Sequence, residues 1–165
     1  MKKISMLFCA GVLMSALGAA FTACNNEPNE TEDPETKGVD VSFTEYSLEE
    51  GVPGEEISAR WVNLPDENNT LLVINSDEEL KKYVEGDYPE IDLTKHTLLL
   101  AYGYKGTEIH SVSVEGLRKL SESKYKLNVE LVMTFATRPD AWYVALITDK
   151  LNENSKVELN VSDGL

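Results

Sequence analysis

Tyr125-Lys126-Leu127-Asn128-Val129-Glu130-Leu131-Val132-Met133-Thr134-Phe135 alternates apolar and polar side chains almost without a break. Successive side chains of a strand point to opposite faces. Tyr125, Leu127, Val129, Leu131, Met133 and Phe135 therefore share one face, with Lys126, Asn128, Glu130 and Thr134 opposite. One apolar and one wet face is the mark of an antiparallel sheet covering a core. The expected partner is the preceding run around His110 to Val114, joined through the loop near Ser121-Glu122-Ser123. Trp142 to Ile147 and Val157 to Val161 read as further members of the same antiparallel set.

Upstream, Leu98-Leu99-Leu100 are consecutive within Thr97 to Tyr104, so both faces of that strand are expected to be covered. Val41-Ser42-Phe43 opens a strand and Ile57 to Leu64 forms another, in which Ile57, Ala59 and Trp61 share a face opposite Arg60. Leu71-Leu72-Val73-Ile74 is a short buried strand. At Ser76-Asp77-Glu78-Glu79 the period changes. Ser76 has the spacing to cap the amide of Glu79, and Glu79 to reach back. Leu80, Tyr83 and Val84 then give one helical stripe, and Gly86 ends a helix of about two turns. The expected fold class is α+β, mainly antiparallel sheet with one short capped helix, in a single domain over 40–165.

Residues 24–39 differ in kind. Asn25 to Val39 carry almost no apolar side chains and many acids, too little to offset the entropy of ordering, so the segment reads as a tether. The chain has a formal charge of −14. That field repels a phosphate backbone and anionic headgroups, so nucleic acid is not an expected partner.

At the N-terminus, Lys2 and Lys3 precede an apolar run from Ile4 to Ala20, and Phe21-Thr22-Ala23-Cys24 follows. A basic start, an apolar stretch and small residues before a cut are the parts of a secretory signal peptide over 1–23. With a cysteine at its end, this segment resembles the lipobox of bacterial lipoproteins. That resemblance implies a diacylglyceryl group on Cys24, cleavage before it and acylation of the new amino group. It also implies a lipid anchor in the bacterial outer membrane, with the acidic stretch behind Cys24 resembling surface-export signals. Cleavage removes Lys2 and Lys3, which takes the charge from −14 to −16, and removes Cys9. The mature domain then holds no thiol for a disulfide, a nucleophile or a metal.

Trp61-Val62-Asn63-Leu64-Pro65, Val73-Ile74-Asn75-Ser76-Asp77-Glu78-Glu79-Leu80, Pro89-Glu90-Ile91-Asp92-Leu93-Thr94-Lys95 and Leu98-Leu99-Leu100-Ala101 occur in that order. Lys124-Tyr125-Lys126-Leu127-Asn128-Val129 and Trp142 with its strand follow. Over residues 57–161 this resembles a group of small Bacteroidota lipoproteins of unassigned function. More loosely it is similar to PrcB-type accessory domains of protease complexes, whose Gly-rich turn Gly103-Tyr104-Lys105-Gly106 matches in part.

Chemical motifs are sparse. There is no phosphate loop, dinucleotide fingerprint, zinc helix, calcium loop or nucleophile elbow, and no cofactor or metal site is expected. His96, in a turn, and His110, in strand parity with Val112 and Val114, lack ligand spacing. Asp92 reads as a turn-forming residue bonded near Thr94, and Asp77, Glu78 and Glu79 as helix-start acids. Trp61 and Trp142 sit in apolar alternation and read as core. Tyr102 and Tyr104 share parity at a strand end and are the candidate binding surface, with Tyr104 the more exposed. The expectation is a non-catalytic binding module for an envelope protein or glycan. The alternative is a hydrolase whose carboxylates meet only in the fold, acting on an envelope or extracellular polymer.

Overall fold

The computed structural model describes residues 38–48 and 59–164. The expected signal segment, Cys24, the tether up to residue 37 and Ile57 lie outside the described residues. In chain order the described elements are β1 (Val39–Val41), β2 (Phe43–Glu45), β3 (Arg60–Trp61), β4 (Thr70–Ile74), α1 (Asp77–Tyr83) and β5 (Val84–Glu85). Then come β6 (His96–Lys105), β7 (Ile109–Lys119), β8 (Lys124–Met133), β9 (Asp140–Asp149) and β10 (Lys156–Gly164). One seven-residue helix among so many strands makes the fold mainly β, a closer description than α+β.

The strands form two four-stranded sheets, β1-β7-β8-β10 and β2-β9-β6-β4, and a two-stranded ribbon, β3-β5. The β7–β8 hairpin pairs as the alternation requires, with Val114 opposite Val129 and Leu117 opposite Leu127. Tyr125, Leu127, Val129 and Leu131 are buried. The ladder stops at Met133, opposite Ile109, so Phe135 lies beyond the strand and is fully exposed. The alternation overran its partner. β10 is a second departure: it pairs with β8 in parallel, Leu159 against Leu127 and Val161 against Val129. The chain visits the other sheet as β9 before returning, and such a crossover brings a strand back in the same direction.

Burial defines three layers. Leu99 and Ala101 pack with Leu117, Leu127, Val129, Leu131 and Leu146 between the two sheets. Their neighbours Leu98, Leu100 and Tyr102 point the other way, onto Leu80, Val84, Ile91 and Leu93. β6 is thus covered on both faces, and each fully buried leucine contributes about 1.5–3 kcal/mol.

The outer layer starts at the helix cap. Ser76 Oγ accepts the Glu79 amide at 3.3 Å, while Glu79 Oε2 accepts the amide of Asn75 at 2.8 Å, one residue before the position a capping box uses. The helix ends at Tyr83. Val84, expected on the helical stripe, instead opens β5 opposite Trp61, and Gly86 follows with φ at 95°. The expected strand Ile57 to Leu64 shows only Arg60–Trp61 as strand among its described residues, with Arg60 Nη2 on Glu85 at 2.6 Å. Val41-Ser42-Phe43 is a handover: β1 pairs with β7, β2 with β9, and Ser42 crosses between the sheets. The first strand includes Val39, the last residue of the expected tether.

Candidate functional site at the aromatic end of the sandwich

β6 ends, β7 begins, β8 ends and β9 begins at one end of the two packed sheets. Among the described residues, four large apolar side chains are exposed: Val39, Tyr104, Phe135 and Tyr143. The last three belong to this end, and Val39 to the opposite one, beside Lys119.

Tyr102, proposed from parity as surface, is 7% exposed and donates its hydroxyl to the Pro65 carbonyl at 3.1 Å. Burial raises its phenol above the ordinary tyrosine range. Tyr104, two residues on, is 55% exposed. Its neighbour is Tyr143, 53% exposed. Tyr143 is the ladder partner of Tyr102, and Ala141 that of Tyr104. Cross-strand partners share a face, so Tyr104 and Tyr143 are diagonal neighbours, a spacing of about 7–8 Å in such ladders. Sequence reading passed over Tyr143. The signal was in Trp142-Tyr143: adjacent strand residues face opposite ways, so a buried Trp142 turns Tyr143 outward. Trp142 is indeed 3% exposed, and its indole N–H has no acceptor among the described residues.

Backbone contacts fix this surface. Asn68 Oδ1 accepts the amides of Tyr104 and Asn69 at 2.8 and 2.9 Å. Gly103 permits the approach, since a Cβ there would lie 2.6 Å from Asn68 Oδ1. Beside Tyr143, a cleft of about 250 Å³ opens where β2 leaves β9, between Glu45 and Tyr46 on one side and Val112, Val114 and Val144 on the other. Tyr46 still donates its amide to the Ala145 carbonyl at 2.8 Å, and the pairing goes no further among the described residues.

The other candidates lie elsewhere. Asp92 Oδ1 accepts from the Thr94 amide and hydroxyl, and Oδ2 sits 2.8 Å from Lys95 Nζ. Lys95 and Thr94 pull its carboxyl down to about 2, which holds it ionised at neutral pH in a turn-forming role. His96 opens β6 instead of ending the turn, opposite Asp149, and Ser42 follows in the same register row. All three line a cavity of about 150 Å³. The carboxylate is the middle member of that row, whereas hydroxyl activation needs the imidazole next to the nucleophile. No hydrogen bond joins the three side chains. His110 is exposed at a register shift between Ile109 and Ser111, which breaks its parity with Val112. No group of three His, Cys, Asp or Glu converges for a metal among the described residues. No described helix is long and apolar enough to cross a membrane.

Comparison with family models, curated proteins and solved structures finds no match to this chain.

Proposed function

We propose that this protein is a lipid-anchored, non-catalytic binding module, held at the bacterial outer membrane through Cys24 and related to the small Bacteroidota lipoproteins that its sequence resembles. The supporting observation is the Tyr104–Tyr143 pair. Two half-exposed tyrosines occupy diagonal positions on one face of a sheet, with Tyr143 at the edge of a cleft, an arrangement that contributes aromatic contact area at low entropic cost. The ligand is an envelope protein or a glycan. The anchor reading rests on the Lys2-to-Cys24 pattern and the acidic segment behind it.

The test is saturable retention of an envelope component by the protein. Tyr104→Ser with Tyr143→Ser should lower retention at least tenfold, about 1.4 kcal/mol. Val39→Ser, which alters the exposed apolar side chain at the other end, should leave it unchanged. Equal retention by all three proteins, or turnover of a polymer substrate that tracks the purified protein, would sink this reading.

A further inference from the structure

We infer that Phe135 is the anchor of a protein–protein contact: the loop from Thr134 to Pro139 presents its ring for insertion into an apolar pocket of a protein partner, at the end of the domain opposite Val39. The inference rests on the binding-module reading and names the class of partner and the contact face.

The first observation is that Phe135 touches nothing of its own domain. It is 107% exposed, more than any other large apolar side chain described. Leaving a phenyl ring in water forgoes the stabilisation that its burial would contribute.

The second is that the loop beneath it is braced. Glu108 is the hub. Its amide donates to the Ala136 carbonyl at 3.1 Å, and its carbonyl accepts the Thr134 amide at 2.9 Å. Its carboxylate takes the Thr134 hydroxyl at 3.2 Å and the Arg138 guanidinium. Thr134 Oγ1 also accepts the Ala136 amide at 3.1 Å, and Asp140 Oδ2 accepts the Ile109 amide at 3.2 Å. The ring is exposed on a backbone whose polar groups are satisfied on both sides of it. A loop backbone already held in place loses less entropy on binding.

The third is direction. The described chain enters beside Lys119, the last residue of β7, while the Phe135 loop sits at Ile109, the first. Eleven residues of strand separate the two ends, roughly 35 Å. The loop therefore projects from the end opposite Val39, where the described residues of β1 begin. The acidic charge of the chain disfavours an anionic lipid surface as the occupant. A single ring at a loop tip also lacks the floor on which a sugar stacks, and it suits a concave protein pocket.

The experiment uses the full lipidated chain in cells that make it. A photo-reactive phenylalanine analogue replaces Thr137, beside the ring, in chains carrying Phe135 or Phe135→Ser. Control chains carry the analogue at Val112 in the cleft or at Glu122 at the tether end. The expected result is one discrete protein adduct at 137, at least tenfold weaker with Phe135→Ser, and none at 122. The melting temperature and cellular level of Phe135→Ser should match the parent, so that the loss reports contact and not unfolding. An adduct at 112 alone would overturn this inference and leave the binding-module reading standing. No adduct at any position would count against both. An adduct at 137 that is insensitive to Phe135, or that consists of lipid, glycan or a second copy of this chain, would also overturn the inference.

Discussion

The Thr97 hydroxyl donates a 2.6 Å hydrogen bond to the side-chain carbonyl of Asn75 and accepts the Leu151 amide at 3.0 Å. Thr97 is fully buried, so one hydroxyl joins the segment before α1 to the segment after β9. Lys150 Nζ reinforces the junction on the carbonyls of Asn75 and Leu93, both at 2.6 Å. Thr97→Val keeps the shape and orphans two polar groups, at about 1–3 kcal/mol each. Thr97→Ser should recover most of that loss. Urea midpoints at unchanged slope provide the measurement, and a Val variant as stable as the parent would contradict it.

Gly103 lies within β6 and Gly106 just beyond its end, so the stretch expected as a Gly-rich turn is mostly strand, and the two glycines should respond differently. A Cβ on Gly103 meets Asn68 Oδ1 at 2.6 Å and the Asn69 amide nitrogen at 2.9 Å, while one on Gly106 meets nothing within 4 Å. Gly103→Ala should destabilise by about 1–3 kcal/mol through displacement of the Asn68 turn. Gly106→Ala should stay within about 0.5 kcal/mol of the parent. Thermal melts of the two variants decide this directly.

Tyr46 sets an alkaline limit. Burial, aided by the neighbouring Tyr88, pushes its phenol up to about 12, and its hydroxyl donates to the Pro89 carbonyl at 2.8 Å. An unfolded tyrosine ionises near pH 10, at about its reference value. Above that pH the unfolded state has released a proton that the folded state keeps. The stability from this group is therefore complete below about pH 10 and is lost as pH rises toward about 12. Tyr46→Phe should cost about 1 kcal/mol at neutral pH through the lost hydrogen bond and should flatten the alkaline decline. Denaturation curves on either side of pH 10 test both effects.

Cys24→Ser should abolish incorporation of labelled fatty acid and release the protein from the membrane fraction. One acyl chain anchors only marginally, and several on a single residue hold firmly. Labelling of the Ser variant at the parent level would refute the lipid site.

The sequence was most legible where burial imposes a period. Tyr125 to Leu131 alternates because one face meets the core, and Leu98-Leu99-Leu100 does not because β6 is covered on both. Ser76 and Asp92 were legible for a different reason: their side chains act on backbone only two or three residues away. What failed depended on distant partners. Apolar alternation in Val157 to Val161 carries no direction, so the parallel pairing with β8 was hidden. Phe135 continues the rhythm of its strand, and only the position of Ile109 on the neighbouring strand ends the ladder before it. The exposed pair Tyr104–Tyr143 needed the register between β6 and β9. Burial of Tyr102 needed Pro65 above it.

The handover at Ser42 governs when this chain can finish folding. Phe43 waits for Thr148, whose hydroxyl then closes on the Ser42 carbonyl at 3.0 Å, a separation of 106 positions. Contacts this remote are expensive in loop entropy and slow to form. During N-to-C emergence from a ribosome or a translocation channel, the earliest strands stay unpaired until β7 and β9 have both appeared. The edge shared by the two sheets is therefore a late closure, made after the β4–β6 and β7–β8 ladders have had the chance to form.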